Sequence, residues 1–163
     1  MECLLPVLAD GFKGKYSLGA TREKLQLASL LAGLAFSNTK TALAHSISYP
    51  LTGQLQVPHG LACSFTLPEV MMFNYAKYKD RVKVIWTALK CSTIDQSVDR
   101  LYEIFIGAGV PHYLRKYSID ISTVAASGAT FITPDRAGNN LASASEKDAV
   151  QILRSALSRL AEE

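Results

Sequence analysis

Cysteine is scarce in this chain: 163 residues hold three, Cys3, Cys63 and Cys91, and no two form a Cys-x-x-Cys pair. That spacing excludes a disulfide framework and predicts free thiols in a reducing compartment. Long hydrophobic runs are missing as well. No stretch reaches the roughly eighteen apolar residues of a spanning helix. The N-terminal "MECLLPVLADGFKG" has only a short apolar run and carries Glu2 where a secretory leader carries positive charge. The expectation is a soluble, cytoplasmic chain with no membrane partner. Nor is charge of one sign in excess, since 17 Lys and Arg against 14 Asp and Glu leave +3. The basic residues are scattered, and the short run Lys77, Lys79, Arg81 and Lys83 also holds Asp80, so it reads as a solvated helix face and no nucleic-acid partner is expected. Internal repeats and low-complexity linkers are absent, and strand signals nearly so: "ATFIT" at 129–133 alone has a strand-like composition.

What is present is apolar helix. A hydrophobic content of 48% with 19% charge and a mean hydropathy of +0.13 describes a globular chain with an extensively buried interior. Its length suits one domain, able to bury roughly 68 to 70% of its unfolded surface. Residues 21–37 predict a helix capped by Thr21, apolar on nearly every side after Glu23 and therefore expected to be buried. A second helix is predicted from Thr39 to about Tyr49, ended by Pro50, with "LTGQLQV" as a loop or hairpin-like connection. A third starts at Pro58 and continues through "LACSFTLPEVMMFNYAKY" with a bend near Pro68. Further helices follow over Asp80–Leu89 and Ser97–Gly107, the latter with a stripe of Val98, Leu101, Ile104 and Phe105 and a stop at "GAGVP". A short helix after Ser118 or Asp120 runs to 127. A last one covers 145–161, with Ser145 and Asp148 as an approximate capping box and Val150, Leu153, Ala156, Leu157 and Leu160 as its buried stripe. The fold class is all-α, a multi-helical bundle of about six to eight helices in one domain over residues 1–163.

Two of the three histidines, His45 and His59, lie in "TALAHSISYPLTGQLQVPHGLA". Spacing alone is a weak metal signal, because compact zinc patterns place ligands in close pairs. Two readings compete: metal ligands, or imidazoles satisfied within helical packing. From the residues alone the second is the plainer, although the place of His59, just after Pro58 and beside Gly60 at a helix mouth, raises the first. Tyr49 shares a helix face with His45. Cys63, four residues after His59, points to the same face, yet a buried core thiol is the plainer reading. Met71, Met72 and Phe73 read as core filling, His112 as a post-turn residue, exposed or partly buried, Asn38 as the end of the first helix that caps or orients the next, and Asn139 and Asn140 as partners for loop backbone.

The stretch "ASLLAGLAFSNTKTALAHSISYPLTGQLQVPHGLACSFTLPEVMMFN" strongly resembles the C-terminal part of the iron-containing, or group III, alcohol dehydrogenases. Their pattern is close to A-S-x-x-A-G-x-A-F-x-N, then H-x-x-x-H-P-L, then P-H-G-x-x-x-x-x-x-L-P-x-V-x-x-F-N. "LYEIFIGAGVP" and "DRAGNNLASASEKDAVQILRSAL" extend the likeness over essentially the whole chain. The F-x-N and P-H-G elements favour this family over the related dehydroquinate synthase and glycerol dehydrogenase types. The resemblance implies the helical domain of the dehydroquinate synthase-like fold, packed against an α/β domain that binds NAD or NADP, with Fe(II) or Zn(II) in the cleft. His45 and His59 match two metal ligands. An Asp and a His on a preceding helix, and the glycine-rich pyrophosphate turn, are expected upstream of residue 1; Asp10 has no His four residues later and does not match.

What the resemblance implies chemically is metal-assisted hydride transfer between an alcohol and an aldehyde. With two ligands elsewhere, the chain alone is expected to be catalytically incompetent, and a non-catalytic module for oligomerisation or partner binding is the competing expectation. The motif also departs from the family: Tyr49 stands where the second histidine of H-x-x-x-H-P is usual. A phenol, with an ordinary pKa of about 10, shuttles protons less readily at neutral pH than imidazole, so Tyr49 is either a changed catalytic group or a space-filler at the helix end. "AHSISYPLT" further resembles the branch associated with phosphonate metabolism, which implies a phosphonate alcohol or aldehyde as substrate. The surface normally covered by the nucleotide-binding domain is expected to favour a homo-oligomer.

Overall fold

The computed structural model describes residues 19–161, so Cys3, Asp10 and the N-terminal stretch lie outside the described residues. Among the described residues the chain is helical with no strand. In order, α1 spans Gly19–Ser37, α2 Leu43–Leu55, α3 His59–Ser64, α4 Leu67–Lys77 and α5 Lys79–Leu89. Then come α6 Ile94–Gly107, α7 Val110–Tyr117, α8 Ile121–Ala126, α9 Pro134–Ala137 and α10 Glu146–Ala161. This is the all-α bundle expected, and no helix among the described residues is long and apolar enough to cross a membrane.

Leu43, Ile47 and Leu51, four apart along α2, are fully buried and form the axis of the core. Around it pack α3, α4, α8, α9 and α10, while α6 joins α4 to α7. The stripes of α6 and α10 extend the core: Val98, Tyr102 and Phe105 from one, Ala149, Leu153, Ala156 and Leu160 from the other. Thr93 caps α6 by accepting from the Gln96 N–H at 3.2 Å, and the Gln96 side chain accepts from the Ser92 N–H at 2.9 Å. That reciprocal cap starts the helix three residues before the expected Ser97.

Several expectations need correction. α2 does not stop at Tyr49 but runs through Pro50 to Leu55, so "LTGQL" is helix and not loop. An interior proline costs about 3 kcal/mol, and the burial of Pro50 and Leu51 against the core offsets it. The Ser48 hydroxyl donates to the His45 carbonyl at 2.7 Å, just before the proline. The helix ends at Gln56, in the left-handed region at φ 56°, and the Val57 N–H then reaches the Leu51 carbonyl. Pro111 does not prevent a new helix either; it sits in the first turn of α7 after Gly109 turns at φ 74°.

"ATFIT" forms no strand. Its backbone N–H groups at Phe131 and Ile132 donate to the Glu146 carboxylate at 2.8 and 3.1 Å, at the start of α10, so a side chain replaces a strand partner. The largest departure is α1. Thr21 is its one buried residue, and Leu27, Leu30, Leu31, Leu34 and Phe36 are between 49% and 60% exposed. The expected burial fails because, among the described residues, nothing is laid along its apolar sides.

Candidate metal centre

The site is built where α2 meets the short helix α3. His45 lies on the first turn of α2, and the return through Val57 and Pro58 brings His59, the first residue of α3, back over it. The two imidazole rings stand edge-on, 5.6 Å between centroids. Tyr49, one turn along α2 from His45, stacks on His59 with 6.3 Å between centroids and 22° between planes. The three residues singled out in the sequence thus converge at one place, whereas exposed His112 on α7 has no part in the cluster.

Cys63 completes the group. One turn after His59 on α3, its Sγ lies 3.4 Å from His59 Nε2 and 3.6 Å from Nδ1. Donor atoms of His45, His59 and Cys63 all lie within 4.8 Å of one another. The thiol donates to the buried Ser48 hydroxyl at 3.1 Å. Burial pushes the Cys63 thiol above its usual range, and the Ser48 hydrogen bond partly offsets this. His45 is held below the usual imidazole range, first by burial, then by the charges of His59 and Arg136. A neutral ring keeps a lone pair free for a cation.

Arg136 had no signal of its own in the sequence, being 87 residues from Tyr49. The buried Ser46 hydroxyl donates to the Phe131 carbonyl at 2.6 Å and accepts from the Thr133 N–H at 2.7 Å, which pins the start of α9 to α2. From there the Arg136 Nε–H donates to the Tyr49 hydroxyl oxygen at 2.9 Å. Asn139 ties the end of α9 back, donating to the Thr41 carbonyl at 3.3 Å. Asn140 instead exchanges amide hydrogen bonds with Asn74 on α4, at 2.8 and 3.2 Å, away from the histidines.

Two imidazoles and a thiol suit a divalent iron or zinc in donor chemistry. A dinucleotide does not fit in the same way, because no strand–glycine-turn–helix unit exists among the described residues. An open groove of about 520 Å³ lies elsewhere, lined by Glu69, Gln151, Arg154, Ser155, Ser158 and Arg159. It gathers no set of metal donors.

Comparison with known proteins settles the lineage. Residues 12–157 match the family described as Fe-containing alcohol dehydrogenase family, C-terminal. The chain belongs to the iron-containing alcohol dehydrogenase family. Among its relatives, the lactaldehyde reductase of Escherichia coli (strain K12) is 25% identical over 142 residues, 82% of this chain and 37% of that protein. The 1,3-propanediol dehydrogenase of Citrobacter freundii is 26% identical over 161 residues, 92% of this chain and 42% of its own length. The probable alcohol dehydrogenase EutG of Escherichia coli (strain K12) is 34% identical over 93 residues, 56% of this chain and 24% of that protein. The chain therefore spans less than half the length of these curated relatives. No solved structure gives a significant match.

Proposed function

We propose that this chain is a single helical domain over residues 1–163 that supplies the metal-ligand half of an NAD(P)-dependent alcohol dehydrogenase, interconverting a small alcohol and an aldehyde. The observation that carries the reading is the convergence of His45 and His59 beside Tyr49 in a chain of this family. His45 and His59 hold Fe(II) or Zn(II), and a metal bound there supplies Lewis-acid polarisation of a substrate oxygen. Tyr49 is the catalytic group contributed by this chain. Its oxygen accepts from Arg136, which leaves the phenolic proton to donate to a polar substrate. The dinucleotide belongs to a nucleotide-binding domain outside these residues, and the domain alone is inactive.

The relatives named for lactaldehyde and 1,3-propanediol support a small alcohol or aldehyde as substrate, with a phosphonate as the finer assignment drawn from "AHSISYPLT". Free Cys63 and Cys91 support a reducing, cytoplasmic setting. The exposed leucines of α1 favour a second reading, in which the chain serves as a non-catalytic oligomerising or partner-binding module. The test of the metal reading is calorimetric titration of the chain with Zn(II), and with Fe(II) under anaerobic conditions, against the His45→Ala, His59→Ala double variant. One-to-one binding lost in the variant supports it. Equal binding by both proteins turns the reading towards the module, whereas weak or absent binding by the wild type marks the site as half of an interdomain one that needs its upstream ligands.

A further inference from the structure

The metal reading uses two histidines, yet a third donor stands beside them. We infer that Cys63 is a metal ligand, so that His45, His59 and Cys63 form a three-donor, zinc-type cation site within this chain; the inference rests on the metal reading above.

Geometry carries the argument. His59 and Cys63 are four apart on α3, the spacing that stacks two side chains on one helix face. With Zn–S near 2.3 Å and Zn–N near 2.0–2.1 Å, a tetrahedral ion separates sulfur from nitrogen by about 3.6 Å. Cys63 Sγ lies 3.4 and 3.6 Å from the two His59 ring nitrogens, close enough to share an ion, but near-equal distances to both place the sulfur over the ring, so the ring must turn to present one nitrogen. His45 approaches from α2, with its donor atom also within 4.8 Å of the others, and the exposed His59 ring is free to turn and close the remaining gap. In the isolated chain three protein donors leave one tetrahedral position to solvent, and a thiolate among imidazoles shifts preference towards Zn(II).

The surroundings suit the role. Ser48, fully buried, lies 3.1 Å from the sulfur, and its hydroxyl, which donates to the His45 carbonyl at 2.7 Å, would exchange that bond for one to a thiolate once the thiol proton is gone. Such outer hydrogen bonds orient ligands and hold the sulfur in place. Binding breaks the S–H bond, forms the metal–sulfur bond and releases one proton to solvent, with no change of oxidation state.

Anaerobic titration of the 163-residue chain with Co(II), a spectroscopic substitute for zinc, tests this directly. The expected result is a near-ultraviolet thiolate-to-cobalt charge-transfer band that saturates at one equivalent and is chased by Zn(II). It persists in the Cys3→Ser, Cys91→Ser double variant and disappears in Cys63→Ser. Cobalt affinity in Cys63→Ser falls by at least the roughly ten- to hundredfold that loss of an outer partner costs. Far-ultraviolet dichroism of each apo variant checks the fold, and Cys63→Ala provides a second substitution should serine disturb it. Cobalt binding that depends on His45 and His59 but shows no thiolate band and ignores Cys63 overturns the inference and leaves the metal reading standing. Absence of binding by the folded wild-type chain overturns the three-donor site, and binding indifferent to both histidines counts against the metal reading itself.

Discussion

Ser46 shows how one small side chain sets the geometry of the candidate centre. Its hydroxyl is the buried junction between α2 and the segment leading into α9, and so it governs how Arg136 meets Tyr49. Ser46→Ala keeps the volume nearly constant but leaves the Phe131 carbonyl and the Thr133 N–H without their partner. A loss of roughly 1–3 kcal/mol is expected, read as a lower urea midpoint at unchanged slope. An unchanged midpoint would show that water or a local shift replaces the hydroxyl. None of this was legible in the chain, because the partners lie 85 and 87 residues away from Ser46. His45, His59 and Tyr49 were legible through an ordered local motif. Cys63 was half legible: its spacing from His59 is plain, but its neighbour Ser48 lies on another helix.

The capping of α10 illustrates what an element owes to its first turn. The Asp148 carboxylate accepts from the Ser145 N–H at 2.8 Å and hydroxyl at 2.7 Å, while Ser145 Oγ accepts from the Asp148 N–H at 3.3 Å. These hydrogen bonds, more than the nearby Lys77 and Lys147, hold the Asp148 carboxyl below its usual range. A carboxyl lowered in the folded state stabilises it above the unfolded pKa of about 3.9, and that contribution is lost as pH falls through the lower folded value. Asp148→Asn is therefore expected to cost about 1 kcal/mol or less at pH 7, given the exposure of the cap, and progressively less below pH 4. Urea unfolding of both proteins at several pH values checks this, and a difference that does not shrink in acid would refute the assignment. Caps and stripes of this kind made α6 and α10 readable from local pattern. Pro50 was misread because the rule that a proline ends a helix is local, whereas the burial that carries α2 past it is tertiary. The β-like composition of "ATFIT" did not make a strand, because it reflects one buried side chain, Phe131, and backbone donors that find Glu146.

At the scale of the whole chain, the described residues form one core and one helix that does not share in it. Leu27, Leu30, Leu31 and Leu34 recur at i, i+3, i+4 and i+7 along α1, a stripe fit for a core, yet each is about half exposed or more. No charged residue interrupts the sequence between Lys24 and Lys40 to blunt that surface. Apolar area contributes about 25 cal/mol per Å² when removed from water, so a stripe of this size is a strong driver of association. With the chain spanning less than half of its relatives, either the rest of an enzyme or a second copy can cover it. Sedimentation velocity is expected to show concentration-dependent oligomers for the wild type and a monomer for Leu30→Glu, Leu34→Glu, with the dichroism of the helical core retained. Because the histidine cluster is formed by α2 and α3, the double variant should bind metal as the wild type does. A wild type that stays monomeric at high concentration would remove the support for self-association. Oligomers that survive both charges would place the contact on another face, and metal binding lost with the oligomer would mean that a second copy helps complete the centre.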